Sequence, residues 1–177
     1  MGIRYLFSKA LKICSSLSEH ERDIVANRCL QIQDCQKKLL SSAQKAMHRC
    51  INICQGLCCR NLDLDNIFSL WDFIFILTLM PEYEHDIQKC LDRSALQYPA
   101  PCPFLKDNRG PCIFPDGVRA QICAITFCSE DKELKNPVQS VNLNFYKLCW
   151  TIQYLRIRHM VLAAVPYLPR PRDSDQH

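Results

Sequence analysis

Only four glycines occur in the 177 residues, and no glycine-rich loop of the kind that cradles a phosphate can be built from them. Long hydrophobic runs are missing too. The longest, Ile67 to Met80, is interrupted by Ser69, Asp72 and Thr78 and is too short to cross a bilayer, so it reads as a buried or partner-covered helix. Charge of one sign is scarce: the net +4 is modest, and the basic pairs Arg156 with Arg158 and Arg170 with Arg172 have no interleaved aromatic platform for nucleic acid. No serine, histidine and aspartate order surrounds a nucleophile elbow. The radical signature Cys-x3-Cys-x2-Cys is also absent, because Cys50-x3-Cys54 lacks its third cysteine.

The N-terminus has short apolar runs broken by Arg4, Lys9 and Lys12, without the continuous apolar stretch or cleavage site of a secretory leader. Gly2 is followed by Leu6 where the acylation pattern wants a hydroxyl residue. The expected address is cytoplasmic, where lasting disulfides are rare, and a count of thirteen cysteines is odd. Metal or cluster ligation becomes the leading use of these thiols.

Eight of the thirteen fall into two groups, Cys50, Cys54, Cys58 and Cys59, then Cys102, Cys112, Cys123 and Cys128. Thiolate is a soft ligand suited to iron-sulfur clusters and zinc, and neighbouring cysteines together favour a metal over isolated thiols. Zinc commonly takes paired Cys-x-x-Cys knuckles, whereas the first group has gaps of three and an adjacent pair. Side chains of adjacent cysteines point apart, so an iron-sulfur cluster, or two metals, accommodates Cys58 and Cys59 more easily than one tetrahedral ion. The other five cysteines, Cys14, Cys29, Cys35, Cys90 and Cys149, lie singly on predicted helices and read as small buried hydrophobes. Of the histidines only His48 is near a cysteine group, and beside Arg49 it reads as solvent-facing.

The expected fold is mainly α: a small helical bundle with a cysteine- and proline-rich metal-binding loop. Ser18-Glu19-His20-Glu21 has the form of a capping box, and the apolar steps Val25, Cys29, Ile32, Leu39, Ala43, Ala46 predict one long helix running into Cys50. Asp65 is the expected cap of the Ile67 to Met80 helix. Pro81 ends it, and Glu82 to Leu96 reads as a polar-faced helix. From Tyr98 to Cys128 five prolines and two glycines forbid a long helix, leaving loop, tight turn and at most one hairpin, Phe104-Leu105 against Ile113-Phe114. Asn136-Pro137 opens a last helix through Val141, Phe145, Leu148, Ile152 and Leu155, which ends before Pro166. Residues 1–49 thus form an N-terminal helical region, 50–130 the cysteine region, and 131–177 a final helix and tail, all within one domain. Trp71, Phe73 and Phe75 are expected to be core.

The run Cys50-x3-Cys54-x3-Cys58-Cys59-Arg60, then Cys102-Pro103-Phe104-Leu105, Cys112-Ile113-Phe114 and Arg119-Ala120-Gln121-Ile122-Cys123, resembles the YkgJ-type cysteine-cluster proteins, described as zinc- or iron-chelating or iron-sulfur-cluster-containing. It departs from their pattern in three places. Both early gaps are one residue longer, Phe114 stands near an expected tyrosine, and Ala120 replaces a proline. The resemblance covers roughly Cys50 to Cys128 and implies metal or cluster binding, with no agreed reaction. Within it, Arg119 is placed to donate to cluster sulfide or to a cysteine sulfur, with an ordinary salt bridge as the alternative.

Three functions follow as expectations. The first is an iron-sulfur protein with a redox, sensing or cluster-delivery role toward a protein partner. The second is a structural zinc domain that binds another protein. The third is a metal-dependent enzyme, for which Asp107 and Asp116 are the nearest carboxyls, although turn formation explains both.

Overall fold

The computed structural model describes residues 2–49, 59, 63–93, 101–106, 111–127 and 131–164. Eight α-helices carry these residues: α1 (Ile3–Ser16), α2 (Glu19–Ser42), α3 (Gln44–Arg49), α4 (Leu64–Ile67), α5 (Leu70–Leu79), α6 (Glu84–Arg93), α7 (Gln121–Ile125) and α8 (Lys135–Ala164). The fold is mainly α. Its only pairing of β type among the described residues is an antiparallel bridge, Leu105 with Cys112. No helix of the described residues is long and apolar enough to cross a membrane.

The helix α1 falls within the predicted N-terminal helical region, and its Ile3, Phe7, Ala10 and Ile13 recur at helical spacing and are all buried. Its free N-terminal amide at Ile3 donates to Asp65 Oδ1 at 2.8 Å, so a residue expected to cap the Ile67 helix caps α1 instead. Ser69 takes that role for α5. Its hydroxyl accepts from the Asp72 amide, while Asp72 Oδ2 accepts from the Ser69 amide and hydroxyl at 2.7 and 2.6 Å. At the other end of the pair, Arg4 donates through Nε and Nη2 to the Leu91 carbonyl, pinning α1 to the last turn of α6.

The capping box at Ser18 is formed as the sequence predicts. The long helix after it is two helices, not one. The Ser41 and Ser42 hydroxyls both donate to the Lys38 carbonyl, and the Ala43 amide is shared between the Leu39 and Leu40 carbonyls, which tightens and closes α2 before α3 begins. Glu21 is buried, yet its carboxyl is held below the usual carboxylate range, first by the Ser18 amide and hydroxyl and then by His159, whose Nε2 lies 2.8 Å away. Ser18→Ala removes this cap and is expected to lower stability by about 1 kcal/mol, read as a shift in the urea midpoint at unchanged slope.

Packing follows from these faces. The helix α2 runs along α8, and α1 packs on α5, which also touches α2 and α8. All five apolar residues predicted along the last helix, Val141, Phe145, Leu148, Ile152 and Leu155, are buried. Phe73 and Phe75 are fully buried: Phe73 meets Phe7 edge-on and stacks on Phe68, and Phe75 meets Phe145 edge-on. The same apolar cluster takes in Phe104 and Phe114 from the proline-rich segment, with ring centroids 5.0 Å apart, so that segment is anchored in the helical core.

Candidate metal centre

Two aromatic anchors place the cysteines. Phe104 and Phe114 are inserted into the core, and each lies two residues after a cysteine. At both places the amide of the phenylalanine donates to the cysteine sulfur, Phe104 to Cys102 and Phe114 to Cys112. A hydrogen bond of this kind favours the thiolate form, the form that ligates. The segments around the Leu105–Cys112 bridge are held by the Ile113 amide on the Phe104 carbonyl at 2.8 Å and the Lys106 amide on the Pro111 carbonyl at 3.1 Å. This is a rudimentary version of the predicted hairpin.

The first cysteine group joins the second through the backbone. The Cys102 amide donates to the Cys59 carbonyl at 2.8 Å. Cys123 falls within electrostatic reach of Cys102, Cys112 and Cys59, and Cys102 within reach of Cys112 and Cys59. Burial pushes the Cys102 thiol up to about 12, and Cys112, Cys59 and Cys90 push it further in the same direction. Cys112 is also raised by burial, against the pull of its Phe114 amide and the Arg119 guanidinium. Cys123, exposed at the surface, is raised by the protein around it and then by Cys102, Cys112, Asp72 and Cys59; its contact with water tempers the first of these causes.

Cys123 is held by a doubly clamped strap. Gln36, on α2 and almost fully buried, accepts from the Arg119 amide at 3.0 Å and donates to the Arg119 carbonyl at 2.7 Å. Two residues on, the Gln121 amide donates to Asp72 Oδ1 at 2.6 Å, fixing the start of α7 on the start of α5. The strap is reached by a tight turn from Pro115 to Val118, with Gly117 at φ +83. A Cβ at Gly117 would come within 2.9 Å of the Lys37 side chain, so both conformation and space require glycine.

Arg119 makes the salt bridge with Asp116, and its side chain is 27% exposed. The bridge occupies Nη2, while Nε is buried with no hydrogen-bond partner. An orphaned donor beside Cys112 fits an acceptor that belongs to a bound group, such as a cluster sulfide or a metal-bound thiolate.

Sequence reasoning did not find Gln36, Asp72 or Cys90. Cys90 packs partly buried against the core, as a lone helical cysteine is expected to, and from α6 it also lies within electrostatic reach of Cys102 and Cys112. The other cysteines stay apart: Cys29 is fully buried and pushed up to about 12 by burial, and Cys35 meets Ser140 Oγ and Asn144 Nδ2 on α8. His48 is exposed. Four of the predicted ligands, Cys50, Cys54, Cys58 and Cys128, lie outside the described residues, as does Asp107. Among the described residues, no three cysteine, histidine or carboxylate side chains meet at distances that close on a metal ion.

A cleft beside α7 is lined by Leu6, Asp65, Phe68, Asp72, Gln121 and Ile122. Both oxygens of Asp72 are taken by the donors described above, and Asp116 is paired with Arg119, so neither carboxyl is free to act as a base.

No family model, no curated protein and no solved structure matches this chain.

Proposed function

We propose that the chain holds an iron-sulfur cluster through cysteine thiolates drawn from both groups, with Cys102, Cys112 and Cys123 on the clamped side and Cys59 opening the other. The observation that carries this reading is the Cys102 amide on the Cys59 carbonyl, which joins the two sequence-distant cysteine groups. Burial first, and neighbouring thiols second, raise the pKa of Cys102 and Cys123; a bound cation would offset both, and loading would release their protons. The amide bonds to Cys102 and Cys112 and the unpartnered Arg119 Nε supply donors where sulfur carries negative charge. A bound cluster would supply one-electron chemistry. The role that follows is redox exchange, sensing, or delivery of the cluster to a protein partner in the cytoplasm.

Anaerobic purification, with assay of iron, zinc and acid-labile sulfide and a visible spectrum, tests the reading. Iron with sulfide in near-equal amounts and a broad band toward the blue supports it. Colourless protein containing zinc alone overturns it in favour of a structural zinc domain that binds another protein. Arg119→Lys keeps a cation near Cys112 but removes the Nε donor. It is expected to retain iron and to shift the reduction potential to a more negative value, because a donor to sulfur stabilises the reduced, more anionic state. An unchanged potential would separate Arg119 from the site.

A further inference from the structure

The helix α8 is apolar on two opposite sides. One side is the buried row from Val141 to Leu155, and the other is uncovered: Leu143, Tyr146, Trp150, Tyr154, Ile157 and Val161, with Met160 at its edge, are 53 to 75% exposed. Steps of three and four keep these residues in one stripe, which runs about 27 Å along the helix at 1.5 Å per residue. A helix that is apolar all round belongs in an interior. The elements of the chain that pack on α8, chiefly α2, cover its other side.

The area and the order of the stripe point to its occupant. Three aromatic residues, each able to bury roughly 150–250 Å², together with four aliphatic ones offer on the order of 800 Å², the share each subunit contributes to a standard stable interface. Outward from Ile152 the exposed residues come in near-mirror order: Trp150 and Tyr154, then Tyr146 and Ile157, then Leu143 and Val161. A two-fold axis at that centre sets each member of a pair against the other member on an antiparallel copy, as an isologous interface requires. The helix has no carboxylate from Lys135 to Ala164, so no acidic residue of one copy's α8 would be desolvated against the other.

We infer that the outer face of α8 is a homodimer interface, in which a second copy of this chain packs antiparallel about Ile152. The interface is independent of the metal reading and needs no disulfide.

Sedimentation velocity of the full chain at micromolar concentration, with thiols kept reduced, tests the inference. The expected result is a dimer that Trp150→Lys and Tyr154→Lys each convert to monomer with the circular dichroism of the wild type. Tyr5→Lys, at an exposed aromatic on α1, should leave the dimer intact and control for a general effect of adding charge. A wild-type monomer overturns the inference. If that monomer sediments with phosphatidylserine vesicles but not with phosphatidylcholine ones, the stripe with its Lys147, Arg156 and Arg158 serves an anionic membrane instead. A dimer that survives both α8 variants also overturns it, because the contact then lies elsewhere.

Discussion

Cys102→Ser and Cys123→Ser are each expected to strip the protein of bound iron, while Cys29→Ser and Cys149→Ser keep the wild-type content per folded chain. The contrast is large because it sets loss of a ligand against loss of a packing atom. Cys102 lies where the backbone joins Cys59 and within electrostatic reach of Cys112, and its sulfur accepts the Phe104 amide. Serine at that position keeps the volume but offers a hard oxygen that stays protonated near neutral pH, a poor ligand for iron in a sulfur site. Cys29, by contrast, is fully enclosed by the core, and its replacement buries a hydroxyl at a stability cost of about 1–3 kcal/mol without touching the site. Elemental analysis of the four purified variants, each checked for helical content, decides the matter. Equal iron loss from both pairs would sink the division between ligands and core thiols, and full retention in both pairs would move the ligands to other cysteines.

Asp72→Ala is expected to cost about 3 kcal/mol, because it leaves the Ser69 amide, the Ser69 hydroxyl and the Gln121 amide without their acceptor in a buried place, at roughly 1 kcal/mol or more for each. It should also reduce iron retention, since α7 then loses its tie to α5 and Cys123 its fixed position. Burial pushes the Asp72 carboxyl above its usual range, and its three donors pull the other way. A carboxyl raised in the folded state contributes most below its unfolded pKa near 3.8, and the contribution falls away as pH rises through the folded value. Asp72→Asn, which does not ionise and resembles the protonated carboxyl, should therefore gain stability relative to the wild type as pH rises from acid toward neutral. Chemical denaturation across that range measures both effects. A constant difference at all pH values would show that the carboxyl does not change its charge on folding, and a loss well under 1 kcal/mol for Asp72→Ala would remove its role as a tie.

Local signals served well where partners are near in sequence. Ser18 with Glu21, Pro81, and the five-residue row from Val141 to Leu155 each announce an element through spacing or a cap. The same logic overran at Ala43, where two serines in succession bond back to Lys38 and end the helix without glycine or proline. It misplaced Asp65 because two caps were available, and the nearer one, Ser69 with Asp72, has the capping-box form. At the site, the cysteine groups stand out in the sequence, but what holds them does not. Gln36 looks like a surface residue on a polar stretch of α2, and its partner is the backbone of Arg119, 83 residues away. Cys90 is a single cysteine on a helix, and only tertiary packing brings it to Cys102.

The pair of clamps on Arg119 and Gln121 has a bearing on how the site acquires its cargo. Gln36 and Asp72 grip the strap by amide and carbonyl alone, and neither grip involves a cysteine sulfur. The edge that carries Cys123 is thus held by contacts that do not depend on sulfur ligation. Under the proposed function, a cluster would be received on a standing template and its departure would leave the helices upright, as a carrier demands.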